Sequence, residues 1–422
     1  MNQTAKNFTL TEWLAWMESC HPSEIELGLE RIKTVANSLA IDLSASKVVT
    51  IAGTNGKGST VSYLDSIYRK AGYSVGCFTS PHFLHYNERV KIDGVNASDS
   101  LLCSAFARID QARGQIPLTY FEFGTLAALL IFSDLKPDLV LLEVGLGGRL
   151  DAVNIVDADV AVVTTVALDH IDWLGDNRED IGREKAGIFR SSRPAVCGDL
   201  NPPLSVSAVA NELDAQLFQS GNEFSYTQEM DSWSWQGLSS VGEKLFIYNI
   251  PLPHLPIQNA ATVLQVIQCV GLKVDEEVIR SGIGTATLTG RMQLIEVGNT
   301  RYWLDVAHNP EAAELLSQKI ESMTGVVTLV LGMLADKDCR QVIELLAPKV
   351  DCLYFVDLNV PRGQKASALA EFLPSNTPVK QFSTVADALN LFKNNHNRSG
   401  DVIIAGSFFT VSAALAALGK EE

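Results

Sequence analysis

The run Gly53-Thr54-Asn55-Gly56-Lys57-Gly58-Ser59-Thr60 packs three glycines, a lysine and three hydroxyls into eight residues. It follows the β-branched stretch Val48–Ile51 and precedes a helical stretch, Val61–Ala71. That order is the setting of a phosphate-binding loop. Glycines let backbone N–H groups face anionic oxygens, Lys57 reaches terminal phosphates, and the following helix presents its positive end. The spacing departs from GxxxxGK[ST]: Ile51 stands where the first glycine would fall, and Gly58 separates Lys57 from Ser59. A glycine-rich turn between strand and helix would share this composition, so the flanking elements carry the reading.

Further chemistry falls at the ends of other apolar runs. Ser80 follows Val75–Thr79, Glu143 ends Leu139–Leu142, and His170 follows Val160–Leu168. A hydroxyl, a carboxylate and an imidazole at three strand ends can converge beside a nucleotide as ligands of Mg²⁺, which takes oxygen donors and retains waters. Histidine is an unusual ligand for that ion, and His170 reads equally well as a capping or core residue. Lys185 follows Glu184 in a stretch that reads plainly as a surface helix with a solvated ion pair. Asp305 and His308 lie just past Tyr302–Leu304, and Arg291 lies further upstream. These residues can close over a nucleotide, although Asp305 also suits an N-cap ahead of a helix over 312–320.

The elements that must position these residues form two series. Val48–Ile51, Val75–Thr79, Leu139–Val144, Val160–Val166 and Pro194–Cys197 alternate with helical stretches, the pattern of a parallel sheet covered on both faces. The expectation is an α/β fold: an N-terminal doubly wound, mostly parallel sheet with its ligands at the carboxyl ends of the strands. Between Leu217 and Pro253 short alternating segments such as Leu245–Tyr248 predict a small antiparallel sheet appended to it. A second, Rossmann-like α/β series begins near Tyr302 and runs through Val326–Leu331, Cys352–Val356, Val379–Phe382 and Val402–Ala405. Domains are expected over 1–287 and 297–422, with 288–296 as linker, the boundary marked by the small, polar stretch Thr285–Gly290.

Composition excludes several classes. A chain of 422 residues with 46% apolar and 19% charged residues is a globular protein large enough for two cores. A net charge of −16 argues against nucleic acid, whose binding needs a dense basic surface. Met1–Leu10 shows no leader pattern, and no apolar run approaches a membrane span, so no membrane partner is expected and the cytoplasm is the expected compartment. The seven cysteines are scattered without close pairs and read as reduced.

The variant loop Gly53–Thr60 resembles that of the Mur ligase superfamily, whose members make amide bonds with ATP. The stretches Thr79–His82, Leu142–Asp151, Ala167–His170, Arg183–Gly187 and Asp305–Pro310 are similar to those of folylpolyglutamate synthases, and the length is similar to the bifunctional bacterial members that also act as dihydrofolate synthase. The resemblance implies ATP and Mg²⁺ as cofactors, with two metal ions, and Thr54, Asn55, Gly56, Lys57, Gly58, Ser59 and Thr60 on the phosphates. It implies Asn259 on the adenine, Arg291 and Asp305 on ATP, and Ser80, Glu143 and His170 on metal. It also implies a carbamylated Lys185 as an anionic ligand of the second metal. The pteroate pocket would involve Leu29, Arg31, Thr119, Tyr120, Phe121, Glu122, Leu150, Asp151 and Ala152. On their own, Tyr120 and Phe121 read as core aromatics, and Leu27–Arg31 as helix.

The implied partners are dihydropteroate, tetrahydrofolate, L-glutamate and ATP, with the chain a monomer. ATP would phosphorylate a carboxylate and glutamate would attack the acyl phosphate, with His308 one candidate proton acceptor. A peptidoglycan-precursor Mur ligase is the nearest alternative, disfavoured because only 52 residues precede Gly53 where those enzymes carry a UDP-binding domain. A nucleotide switch that forms no amide is the alternative from another class.

Overall fold

The structure is a computed structural model that describes residues 8–21, 23, 25–393 and 400–419. Most of the Met1–Leu10 stretch considered above as a possible leader lies outside them. The chain divides into two compact units, Met1–Ala286 and Thr287–Glu422.

The first unit is built on eight strands: β1 (Lys47–Ala52), β2 (Val75–Phe78), β3 (Val90–Ile92), β4 (Val95–Asn96), β5 (Leu139–Glu143), β6 (Val160–Val163), β7 (Pro194–Cys197) and β8 (Gln216–Gln219). Their spatial order is β4-β3-β2-β5-β1-β6-β7-β8. The strands from β2 through β8 in that order are parallel, and β3 and β4 run antiparallel at one edge. Both faces are covered. Val48 and Ala52 join the large core formed with the helices Asp99–Arg113 and Tyr120–Leu135, while Val49 and Ile51, pointing the other way, are equally buried. The chain leaves β1 for β2, returns to β5, then crosses to β6 on the far side, so the crevice of this open sheet opens at the carboxyl end of β1.

A three-stranded antiparallel sheet follows, made of β9 (Ser225–Gln228), β10 (Ser232–Leu238) and β11 (Lys244–Pro251). Its Trp235 is 1% exposed and donates its indole N–H to Ala261 O on the helix Ile257–Val270, fastening the small sheet to the unit. The sheet starts later than Leu217 suggested, because Ala195 pairs with Leu217 and Gln216–Gln219 extends the parallel sheet instead.

The second unit has six strands: β12 (Gln293–Val297), β13 (Thr300–Leu304), β14 (Val327–Leu331), β15 (Cys352–Val356), β16 (Val379–Phe382) and β17 (Gly400–Ala405), ordered β12-β13-β17-β14-β15-β16. All are parallel except β12. Residues 293–296 of the stretch expected as linker pair with β13, so they belong to this sheet. The helix Pro310–Glu321 is capped by Asn309, whose Oδ1 accepts from Ala312 N at 3.0 Å; Asp305 is not its cap.

Candidate active site

Register brings the first group of residues together. Ile51 pairs with Glu143 across β1 and β5, so the carboxylate ends its strand level with the root of the glycine-rich loop. Phe78 pairs with Leu142, which carries the chain after β2 past the same spot. There Ser80 N donates to Glu143 Oε2 at 3.1 Å, and Glu143 is only 6% exposed.

The loop is held from the other side by the residues just past β6. Thr54 N donates to Thr165 O at 2.8 Å, Asn55 N to Thr165 Oγ1 at 3.1 Å, and Thr164 Oγ1 to Asn55 O at 2.5 Å. Thr54 Oγ1 donates to Ala167 O and accepts from Ala167 N. Gly53, at φ +153°, passes so close to Thr164 that a Cβ would come within 1.8 Å of its hydroxyl. Gly56 is left-handed at φ +86° and faces the Asn259 side chain, whose Oδ1 would lie 2.6 Å from any Cβ there. The helix then begins at Lys57 itself and runs to Lys70, four residues ahead of the stretch expected from sequence. Lys57 Nζ donates to Gly53 O at 2.9 Å and Thr54 O at 3.3 Å, which folds the ammonium over the loop. Gly58 lies in the first turn. Ser59 is buried, and the Thr60 hydroxyl donates to Gly56 O at 2.9 Å, so Thr60 braces the turn from inside.

His170 stands on the loop after β6, left-handed at φ +52°, with its side chain 42% exposed and Nε2 3.9 Å from Asp169 Oδ2. That loop is fixed by Asp199, which accepts from Val166 N, and by Arg178, which donates to Val166 O. Lys185 lies on the helix Arg178–Ala186 and is 3% exposed, so the solvated surface lysine that its neighbours suggested is not what the fold builds. Glu184 pairs instead with Arg149, which reaches Glu184 Oε1 at 2.7 Å, and Arg149 N donates to Glu184 O.

Among the described residues no three His, Cys, Asp or Glu side chains gather as a metal group. The donor set at Glu143 and Ser80 is a carboxylate and a hydroxyl on adjacent strand ends. It fits Mg²⁺, which keeps waters and takes phosphate oxygens, rather than a closed all-protein cage.

Asp151 organises the loop after Glu143. It is 3% exposed, accepts from Leu146 N at 2.8 Å and Val153 N at 3.0 Å, and caps the short helix Ala152–Ile155. Burial pushes its carboxyl up to about 6, against backbone hydrogen bonds and the Lys57 charge, which favour the anion. Leu150 is half-buried and Ala152 buried beside it. The Phe121 ring packs on Gly145 and lies 5.9 Å from Phe78, and Tyr120 meets Tyr86 edge-on at 5.7 Å. The Arg89 guanidinium lies over both tyrosines, at 5.4 and 5.7 Å, and its Nε donates to His82 Nδ1 at 2.8 Å. Burial and the Arg89 charge lower His82 to about 4, so it is neutral at physiological pH.

Thr119 and Glu122 cap the helix Tyr120–Leu135 reciprocally, and Arg31 Nε lies 2.9 and 3.1 Å from the two Glu122 oxygens. Leu29 is half-buried at the start of the helix Glu30–Ser38.

In the second unit Asp305 accepts from Met292 N and Ala307 N, each at 2.9 Å, tying two turns together. Desolvation raises its carboxyl above the ordinary range, opposed first by Arg291. The Arg291 guanidinium lies 5.5 Å from the centre of the Phe408 ring, and His308 Nδ1 is 2.8 Å from Val306 O.

Several contributors have no motif of their own: Thr164 and Thr165 under the loop, Asp199 and Arg178 behind His170, and Glu88, which accepts from Phe83, Leu84 and His85 N. Their one signal in the sequence is a pair of hydroxyls inside the apolar run Val160–Val166.

Residues 51–223 match the Mur ligase middle domain and residues 290–408 the Mur ligase glutamate ligase domain, which defines the class of the molecule as a Mur-type ligase. Within that class the chain belongs to the dihydrofolate synthase/folylpolyglutamate synthase family. It is 46% identical over 405 residues to the dihydrofolate synthase/folylpolyglutamate synthase of Escherichia coli (strain K12), covering 96% of this chain and 94% of that one. The structure of E. coli FolC in complex with DHPP and ADP superposes with a TM-score of 0.92 at 44% identity, over 98% of both chains. The bifunctional enzyme of Yersinia pestis complexed with AMPPNP and Mn ion gives 0.92 at 45% identity, over 99% of this chain and 100% of that one.

The Asp151 carboxyl carbon is expected to titrate with a midpoint of about 6 in ¹³C spectra. The folded state holds that proton more tightly than the unfolded chain, where the ordinary value is 3.8. Its stabilising contribution is therefore full below 3.8 and is lost as the pH climbs through 6. A midpoint under about 4 would contradict the burial.

Proposed function

We propose that this chain is an ATP-dependent ligase that adds L-glutamate to dihydropteroate, giving dihydrofolate, and to tetrahydrofolates, giving folylpolyglutamates. The observation that carries the reading is the register that sets Glu143 beside the root of a loop whose lysine opens the following helix. A carboxylate does not condense with an amine in water; it needs a better leaving group, and a phosphate loop beside an acidic strand end is the place to install one. Seven cysteines without a disulfide fit a cytoplasmic enzyme.

Residues 53–60 hold the ATP phosphates, with Lys57 moving from the Gly53 and Thr54 carbonyls onto the terminal phosphate. Asn259, against Gly56, takes the adenine side, and Arg291 and Asp305 are assigned to the nucleotide on the family resemblance. Mg²⁺, held by Glu143 and Ser80 with His170 as a further ligand, would supply charge neutralisation on the phosphate oxygens. Tyr120, Phe121 and the segment 150–152 wall the flat pteroate ring. One oxygen of the bound substrate's carboxylate attacks the γ-phosphorus, the bond to the ADP oxygen breaks, and an acyl phosphate forms. The glutamate amine adds to its carbonyl, the tetrahedral intermediate expels phosphate, and the amine proton passes to a base. His308 suits the role of that base, its ring oriented by the Nδ1 contact with Val306 O at 2.8 Å.

Lys185 is proposed to carry a carbamate, formed when its neutral amine adds to CO₂ with loss of one proton, converting a buried cation into an oxygen ligand. Its burial, at 3% exposed, supports a role inside the site rather than on the solvated surface.

Phosphate release from ATP with L-glutamate is expected with either dihydropteroate or a tetrahydrofolate, each product one glutamate heavier by mass. Turnover with one substrate alone would assign a single activity, and turnover with neither would overturn the assignment. Lys57→Ala and Glu143→Gln should each lower kcat by about 100-fold or more. Lys185→Ala should lose activity and regain part of it with added short carboxylates; a variant indifferent to them would remove the carbamate.

A further inference from the structure

Arg31 and Glu122 are expected from the family resemblance to touch the pteroate substrate, yet the structure commits both to other protein groups. Arg31 Nε donates to Glu122 Oε2 at 3.1 Å and lies 2.9 Å from Oε1 as an ion pair that leaves Oε1 without a hydrogen bond, while Nη1 binds the Glu26 carboxylate and Nη2 binds Glu26 O. All three guanidinium nitrogens are engaged. Glu122 Oε2 also accepts from Thr119 N at 2.8 Å, as the third residue of the helix Tyr120–Leu135. On the far side of Glu26, His21 Nε2 lies 3.0 Å from Oε2, and His21 Nδ1 is fixed by Ser23.

These contacts make a chain of alternating basic and acidic groups, His21, Glu26, Arg31 and Glu122. Its two ends are almost enclosed, with His21 5% and Glu122 4% exposed at their side chains. A carboxylate enclosed to that degree needs a compensating cation, and only a guanidinium held in one orientation can lie alongside both Glu122 oxygens. Glu26 holds it so, gripping the two outer nitrogens. What lies beyond Glu122 gives the arrangement a consequence. The two preceding residues are Tyr120 and Phe121, the aromatic walls assigned to the pteroate ring, and Glu122 sets the first turn from which both project.

We propose that His21 and Glu26 are positioning residues for the pteroate substrate, acting through Arg31 and Glu122 to set the first turn of the helix that bears Tyr120 and Phe121. The inference rests on the pocket assigned above. It moves Arg31 from ligand to support, gives Glu122 a supporting role through Oε2, and places substrate selectivity partly in a segment about 90 residues away in sequence.

Steady-state kinetics of Glu26→Gln, Glu26→Asp and Tyr120→Ala, with the KM for dihydropteroate and for ATP measured separately, tests it. Glu26 is half-exposed, so its substitution leaves the core untouched. Glu26→Gln is expected to raise the dihydropteroate KM about fivefold while the ATP KM stays within about twofold, and Glu26→Asp should recover most of the loss. A dihydropteroate KM unchanged in Glu26→Gln, or equal rises in both KM values, overturns the proposal. Tyr120→Ala reports on the pocket separately: a raised dihydropteroate KM there with a wild-type value in Glu26→Gln removes the relay and leaves the pocket standing.

Discussion

The hydroxyls at the end of β6 hold the phosphate loop, and the rest of the first unit's site depends on that attachment. A glycine-rich loop loses a large conformational entropy when it adopts one shape, and nothing inside residues 53–56 can offset it. Thr164 and Thr165 do so from just past the neighbouring strand by hydrogen bonds to Thr54 and Asn55. The close passage of Gly53 over Thr164 fixes where the chain turns, and hence where the helix begins and where Lys57 stands. Strand register across β1 and β5 then settles the distance from that lysine to Glu143.

The other segments at the carboxyl edge are set by one recurring device, a carboxylate that accepts several backbone N–H groups. Asp151 shapes the loop after β5, Glu88 the turn after Ser80, and Asp199 the loop ahead of His170. Asp305 joins two turns in the second unit in the same way. A protein with a net charge of −16 and anionic substrates looks electrostatically mismatched, but these acids are occupied by its own backbone. The charge that meets phosphate is local: Lys57, the loop amides and the positive end of the following helix.

Much of this was legible in the sequence because strands and loop motifs are local. The β-branched runs marked the parallel strands, and Ser80, Glu143 and His170 fell at their ends, as such sheets require. What was not legible depends on long-range packing. Nothing near Glu122 foretells Arg31, and nothing in a Thr-Thr pair says that it faces a loop about a hundred residues upstream. Lys185 reads as a solvated surface lysine beside Glu184, since its burial depends on the loop around Gly148 packing over the helix backbone. Asp305 resembles a helix cap, but Asn309 lies next to the helix and takes that role. Leu217 belongs to the parallel sheet because its pairing with Ala195 outweighs the alternating pattern beyond it.

If this carboxyl edge activates a carboxylate by phosphorylating it, one of that carboxylate's oxygens must leave with the phosphate. Dihydropteroate labelled with ¹⁸O in its carboxylate, supplied with ATP, Mg²⁺ and L-glutamate, makes the transfer visible once the inorganic phosphate is recovered for mass measurement. One ¹⁸O per phosphate released is the expected result, since the acyl phosphate loses its bridging oxygen when the amine displaces it. Unlabelled phosphate accompanied by glutamylated product would contradict it, because amide formation would then have proceeded without the phosphorylated intermediate that the loop, Lys57 and Glu143 are arranged to form.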